Sequence, residues 1–184
     1  HALRGEDFER AADLIEGRAD LMWQHGEHAR LRRSLSALPD ESVFRRPHLC
    51  IFRAWYLFSS GHRRPAERCL QAVERALEPD RVLGPTAGPQ GSGETGRSDQ
   101  PHRLPDTDGT TLRGRASAIH ASMESYRGDV SGIIQHATQA MEHLPEQDTA
   151  WRCLTGIVLA DAHGFTGDMN AAFQARQMAL ETCE

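Results

Sequence analysis

The chain has no run of about 18 apolar residues and no charged-then-apolar leader, so neither a membrane-spanning helix nor export is expected of this segment. It has only four cysteines, Cys50, Cys69, Cys153 and Cys183. They are too scattered for a zinc or dithiol motif, and no C-x-x-C, H-E-x-x-H or G-x-S-x-G occurs. All four fall on expected helices or, for Cys183, at the end of one, where cysteine acts as a small buried hydrophobe. The expectation is therefore reduced thiols in a cytoplasmic protein, with no disulfide framework. There is no excess of positive charge: the formal net charge is -5 with both signs mixed. The segment therefore offers no electrostatic footprint for nucleic acid, and Arg30, Arg32 and Arg33 read as a solvated helix face. Alternating apolar and polar positions, the mark of strands, are also missing.

What is present is a repeated pattern. AWYLFSSGHRRPAERCLQAVERALEP (Ala54 to Pro79), ASMESYRGDVSGIIQHATQAMEHLP (Ala121 to Pro145) and ADAHGFTGDMNAAFQARQMALE (Ala160 to Glu181) each end one apolar helix at a glycine and begin another. Seven positions before the glycine stand Ala54, Ala121 and Ala160; five after it stand Ala66, Ile133 and Ala172. Small side chains at those offsets suit two antiparallel helices in close approach. Nine and twelve positions after come Leu70 and Val73, Ala137 and Ala140, then Arg176 and Ala179. This i, i+4, i+7 stripe keeps one face of the second helix inward, and Arg176 breaks it as a terminal repeat would. Glycine supplies the left-handed turn, Asp129 and Asp168 can cap the following helix, and Pro79 and Pro145 stop it.

The fold expected is all-α: a helical-hairpin solenoid of about eight helices, in one domain over residues 1–184. Helices are expected near 7–24, 27–37, 47–59, 64–78, 111–126, 130–143, 148–164 and 169–182. Gly128 and Gly167 are 39 residues apart, a hairpin-repeat period, whereas Gly61 and Gly128 are 67 apart. Residues 84–110, dense in Gly, Pro, Ser and Thr, account for the excess and read as a flexible insertion. A degenerate fourth copy, GEDFERAADLIEGRADLMWQHG, opens the chain with its first helix expected upstream; with His1 in place of Met, the chain reads as a fragment of a longer polypeptide.

The order GEDFERAADLIE, LRRSLSALPDESVFRRPHLCIFRAWYLFSSG, then RPAERCLQAVERAL resembles the helical sensor region of MalT-like, ATP-dependent LuxR-family transcriptional regulators. The resemblance rests on a helix ending in Leu38, Pro39, Asp40 and Glu41. An arginine–proline pair (Arg46, Pro47) and an apolar helix with Leu49, Cys50, Ala54 and Trp55 follow. The later hairpins fit the same family, so the likeness covers nearly all but the insertion. It implies a tetratricopeptide-like (TPR) superhelix lying between a nucleotide-binding ATPase and a DNA-binding helix-turn-helix, neither of which is in this segment. The implied role is to sense a small-molecule effector or a regulatory protein and relay it to those domains. A stand-alone TPR adaptor for a partner's peptide is the rival reading, but it leaves the Leu-Pro-Asp-Glu junction unexplained. The family's usual bulky aromatic early in each first helix is replaced here by Cys50, Ser117 and Gly156, which predicts looser third and fourth hairpins.

No enzyme and no cofactor is expected. GPQGSGET (Gly88 to Thr95) has phosphate-loop spacing, but Glu94 replaces the lysine that would neutralise phosphate, and no strand or helix flanks it. His25 with His28, and His136 with His143, lack a third metal ligand. A concave groove remains. By helix phase its lining would include Ile51, Trp55 and Phe58, then Ala118, Ser122 and Ser125, then Ile157, Asp161 and Gly164. His48 and Arg115 lie one turn nearer the helix starts. The candidate contacts for a ligand or partner are His48, Trp55, Arg115, Ser122 and Asp161, with inter-hairpin packing the favoured role for Trp55 and Phe58.

Overall fold

The computed structural model describes residues 7–78 and 106–182, and among the described residues it contains nine helices and no strand. They are α1 (Phe8–Gln24), α2 (His28–Ser36), α3 (Asp40–Phe44), α4 (Pro47–Ser59), α5 (Arg63–Leu77), α6 (Asp106–Arg127), α7 (Val130–His143), α8 (Thr149–Thr166) and α9 (Met169–Thr182). The three expected hairpins are α4–α5, α6–α7 and α8–α9. Each turns on its glycine in the left-handed region, with φ of 83° at Gly61, 74° at Gly128 and 80° at Gly167. Only a residue without Cβ adopts that conformation at no steric cost. Gly26 (φ 72°) repeats the device between α1 and α2, so the opening helix has a hairpin partner downstream. Asp129 accepts from Gly132 N at 3.0 Å and Asp168 from Ala171 N at 3.0 Å, capping α7 and α9 as the spacing required.

The small-residue positions are buried where the helices meet. Ala54, Ala66, Ala121, Ala137 and Ala140 are wholly inaccessible, and Ala160, Ala172 and Ala179 nearly so. Arg176, which interrupts the stripe, is exposed. Leu31, Leu35, Val43, Leu49, Phe52, Leu70 and Ile119 form one continuous core with Ala54, Ala66 and Ala140.

Several expectations need correction. Between the helices expected at 27–37 and 47–59 lies a further short one, α3, which starts at Asp40 inside the Leu-Pro-Asp-Glu junction. Pro39 sits at its N-cap, and Asp40 and Glu41 in the first turn face the positive end of the helix dipole. It stops because Pro47 holds Arg46 extended (φ -122°, ψ 95°). The supposed insertion lies mostly outside the described residues, as does the phosphate-loop look-alike, but its last residues, 106–110, belong to α6. Cys50 and Cys69 are free and buried, whereas Cys153 is disulfide-bonded, so the expectation of four reduced thiols does not stand.

The predicted looseness of the last hairpin is replaced by a close approach. A Cβ on Gly156 would lie 2.9 Å from Ala179 Cβ and 3.4 Å from the Ala175 carbonyl oxygen. The missing side chain is therefore what lets α8 and α9 touch.

Candidate functional site

Helix α4 carries His48, Phe52 and Trp55 at i, i+4 and i+7, hence on one face. That face looks toward α1, which supplies Asp20 and Trp23, and toward α8, which supplies Trp151 in its first turn. Arg115 comes from α6. Its neighbour Gly114 allows α6 to run against the end of α7, since a Cβ there would sit 2.9 Å from both Leu144 N and Leu144 Cγ. The chain leaving α7 at that contact reaches Asp148, which is thereby delivered to the Arg115 guanidinium.

The polar half of the site is an arginine held between two carboxylates and a histidine. Arg115 Nε donates to Asp148 Oδ2 at 2.7 Å and Nη1 to Asp20 Oδ1 at 2.7 Å. Both Arg115 and Asp148 are buried, at 5% and 6% exposure. His48 Nε2 lies 3.1 Å from Asp20 Oδ2 and 3.3 Å from Arg115 Nη1. Because an ionised carboxylate only accepts, the contact with Asp20 calls for the proton on Nε2; Arg115, which only donates, then makes no hydrogen bond to that nitrogen, and His48 Nδ1 is left buried and without a partner. Burial pushes the Asp148 carboxyl above its ordinary range, and the charge of Arg115 only partly offsets this. At Asp20 burial acts the same way, but the hydrogen bond to His48 and the charges of His48 and Arg115 outweigh it and hold the carboxyl low.

The apolar half is a box of rings. Trp23 and Trp151 stack with centroids 4.9 Å apart and planes 14° from parallel. Trp55 stands edge-on to both, at 6.1 and 5.8 Å. Phe52 joins the halves: its ring lies 5.6 Å from that of Trp23, meets His48 edge-to-face at 5.6 Å, and has the Arg115 guanidinium carbon 5.7 Å from its centroid. The Nε1 atoms of Trp23 and Trp151 are buried without partners. An unpaired donor in such a place is costly.

Of the residues singled out from the sequence, His48 and Arg115 meet at this site and Trp55 borders it, half-buried and packed on the core. Ser122 does not belong to it. It is buried, and its hydroxyl donates to Ala118 O within α6 at 3.0 Å. Asp161 is exposed and pairs with Arg176 at 2.8 Å across the last hairpin, so it too stands apart. Ile51 and Ala118 face the core, while Ile157 and Gly164 face solvent. Asp20, Trp23, Asp148 and Trp151 went unrecognised. Asp148 has the sequence signature of an N-cap for α8, yet its side chain makes no cap bond because Arg115 takes it.

Among the described residues no three His, Cys, Asp or Glu side chains converge to hold a metal, and no helix is long and apolar enough to cross a membrane.

The chain is similar to proteins described as HTH-type transcriptional regulator MalT. It is 24% identical over 183 residues to that of Yersinia enterocolitica (97% of this chain, 18% of the relative). It is 26% identical over 177 residues to that of Cronobacter sakazakii (96% and 17%) and 24% identical over 183 residues to that of Yersinia pestis (97% and 18%). The chain thus spans less than a fifth of the length of these curated relatives. No family model matches, and no solved structure does.

Proposed function

We propose that this chain is the sensor and coupling segment of a longer, MalT-like transcriptional activator of the LuxR family. It would take up an effector and relay its presence to ATPase and helix-turn-helix domains carried elsewhere in the polypeptide. Two things support the reading. The similarity to HTH-type regulators runs along 96–97% of the chain and is not confined to one hairpin. The observation that carries it is Arg115, which ties α1 and α4 of the first half to α6 and the α7–α8 junction of the second, bridging to Asp20 across 95 positions of sequence. A buried charge network satisfied only when both halves are in register favours two discrete arrangements over gradual deformation, which is what a relay needs.

The effector would engage the ring box, where indole donors are unpaired and the charged network adjoins. The proposal is tested by reading the gene around the segment and assaying the whole product on a promoter. A phosphate-loop ATPase upstream, a helix-turn-helix downstream and effector-dependent transcription are expected. A reading frame with neither flank defeats it.

A further inference from the structure

A second site adjoins the ring box through Tyr56, whose ring stands edge-on to Trp23 at 6.1 Å. Where the ends of α2 and α4 meet the start of α5, a half-open cleft of about 400 Å³ is lined by Arg32 and Ser36 from α2, by Arg53, Tyr56 and Ser60 from α4 and its cap, and by His62. Leu35 and Leu57 form an apolar floor. The volume falls in the lower part of the range of small-molecule sites. We propose that this cleft binds a small organic phosphate, its anionic head on Arg53 and Arg32 and its body on Tyr56 and the leucines.

Four features support that choice of ligand. No carboxylate lines the cleft, whereas two guanidiniums and an imidazole do. Arg53 is only partly used: Nη2 pairs with Asp40, but Nη1 is buried with no hydrogen-bond partner. A guanidinium donor left unmatched is expensive, and a turn of the Arg53 side chain toward the cleft would let a ligand oxygen satisfy it. The helix ends are also favourable. The α2 and α4 carbonyls that border the cleft are already occupied: Leu35 O accepts from Leu38 N at 3.2 Å, Tyr56 O from Ser60 N at 3.2 Å and Leu57 O from His62 N at 2.8 Å. The N-terminus of α5, by contrast, has no side-chain cap at His62, so its positive end is open to an anion. Finally, burial pushes the Tyr56 hydroxyl up to about 12, so it remains neutral, and its contact with His28 Nδ1 is a long one at 3.5 Å.

This site does not depend on the sensor reading. It would hold in a stand-alone protein, and a gene lacking the flanking domains would leave it untouched. The test is calorimetric titration of the 184-residue chain at constant ionic strength with phenyl phosphate, and in parallel with inorganic phosphate, benzoate and phenol. Saturable binding of phenyl phosphate, tighter than that of the other three, is expected. Arg53→Gln and, separately, the exposed Arg32→Gln should each weaken it about tenfold or more, as loss of a charge-assisted hydrogen bond does. Far-UV circular dichroism checks that both variants remain folded, and Arg32→Gln, which disturbs no ion pair among the described residues, decides the matter if Arg53→Gln does not fold. No binding of phenyl phosphate overturns the proposal. So does equal binding of phenol or benzoate, equal binding of inorganic phosphate, or affinity unchanged in Arg32→Gln.

Discussion

Four glycines inside helices allow a test in which one substitution changes sign with position. Replacing a helical glycine by alanine gains about 1 kcal/mol where the new methyl group meets nothing, because alanine restricts the unfolded chain and exposes less backbone. Gly17 in α1 is such a place, with no atom within 4 Å of a built Cβ, and Gly164 in α8 is another. At Gly156 the methyl would sit 2.9 Å from Ala179 Cβ, an atom that cannot rotate away. At Gly114 it would meet Leu144 N at 2.9 Å and His143 C at 3.0 Å, which are backbone and can yield only if α7 moves. Overpacking of that kind costs about 1–3 kcal/mol and cancels or exceeds the propensity gain. Gly17→Ala should therefore raise stability by about 0.5–1 kcal/mol. Gly156→Ala should leave it unchanged or lower it by up to about 2 kcal/mol, and Gly114→Ala should lower it by about 1–2 kcal/mol. Urea unfolding followed by far-UV circular dichroism measures this, with the slope checked for constancy. If Gly114→Ala stabilises as much as Gly17→Ala, then α6 and α7 do not approach as described, and the delivery of Asp148 to Arg115 fails with them.

Other consequences can be measured in the same way. Arg115→Met should destabilise by about 3–5 kcal/mol by leaving buried Asp148 unpaired, and Arg115→Met with Asp148→Leu should recover most of the loss; no recovery would mean the cost lies elsewhere. Trp151→Ala, at an inaccessible ring, should cost about 3–5 kcal/mol and the half-buried Trp55→Ala less, and the reverse order would refute the box geometry. Ala66→Leu should cost about 1–3 kcal/mol, and Ala172→Leu, slightly less enclosed, no more than that. In acid, Asp20 and Glu9, the latter held low chiefly by its hydrogen bond to Arg46, contribute stability that is present above the ordinary carboxylate range of about 4 and lost as pH falls below it. Asp148, held high, acts oppositely and regains stability as pH falls. Asp20→Asn should therefore flatten the acid limb of a melting-temperature profile and Asp148→Asn should steepen it; parallel profiles would refute both assignments.

The hairpins could be read from the sequence because glycine, small residues and a 3.6 period act locally, within a dozen positions of each turn. Helix α3 could not, since five residues carry no period of their own and only the constraint of Pro47 on Arg46 marks where α3 ends. The site was half legible. Phase arithmetic brought His48 and Arg115 to the fore, but their partner Asp20 is 95 residues from Arg115, and no local rule reaches so far. The misplacement of Ser122 has a definite cause. From Arg115 to Ile119, and again from Ala121 to Met123, α6 is buried on every side, so it has no groove face for a phase to identify.

The chain contains three tryptophans, and all three belong to the one box formed by α1, α4 and α8. Its indole absorption and emission therefore originate at a single joint, where the nearly parallel Trp23 and Trp151 are close enough for their transitions to couple. That makes the chain's own ultraviolet spectrum a goniometer for the angle between its two halves: a small rotation at the joint would alter the near-UV dichroism while the helices, and the far-UV signal they generate, stayed intact.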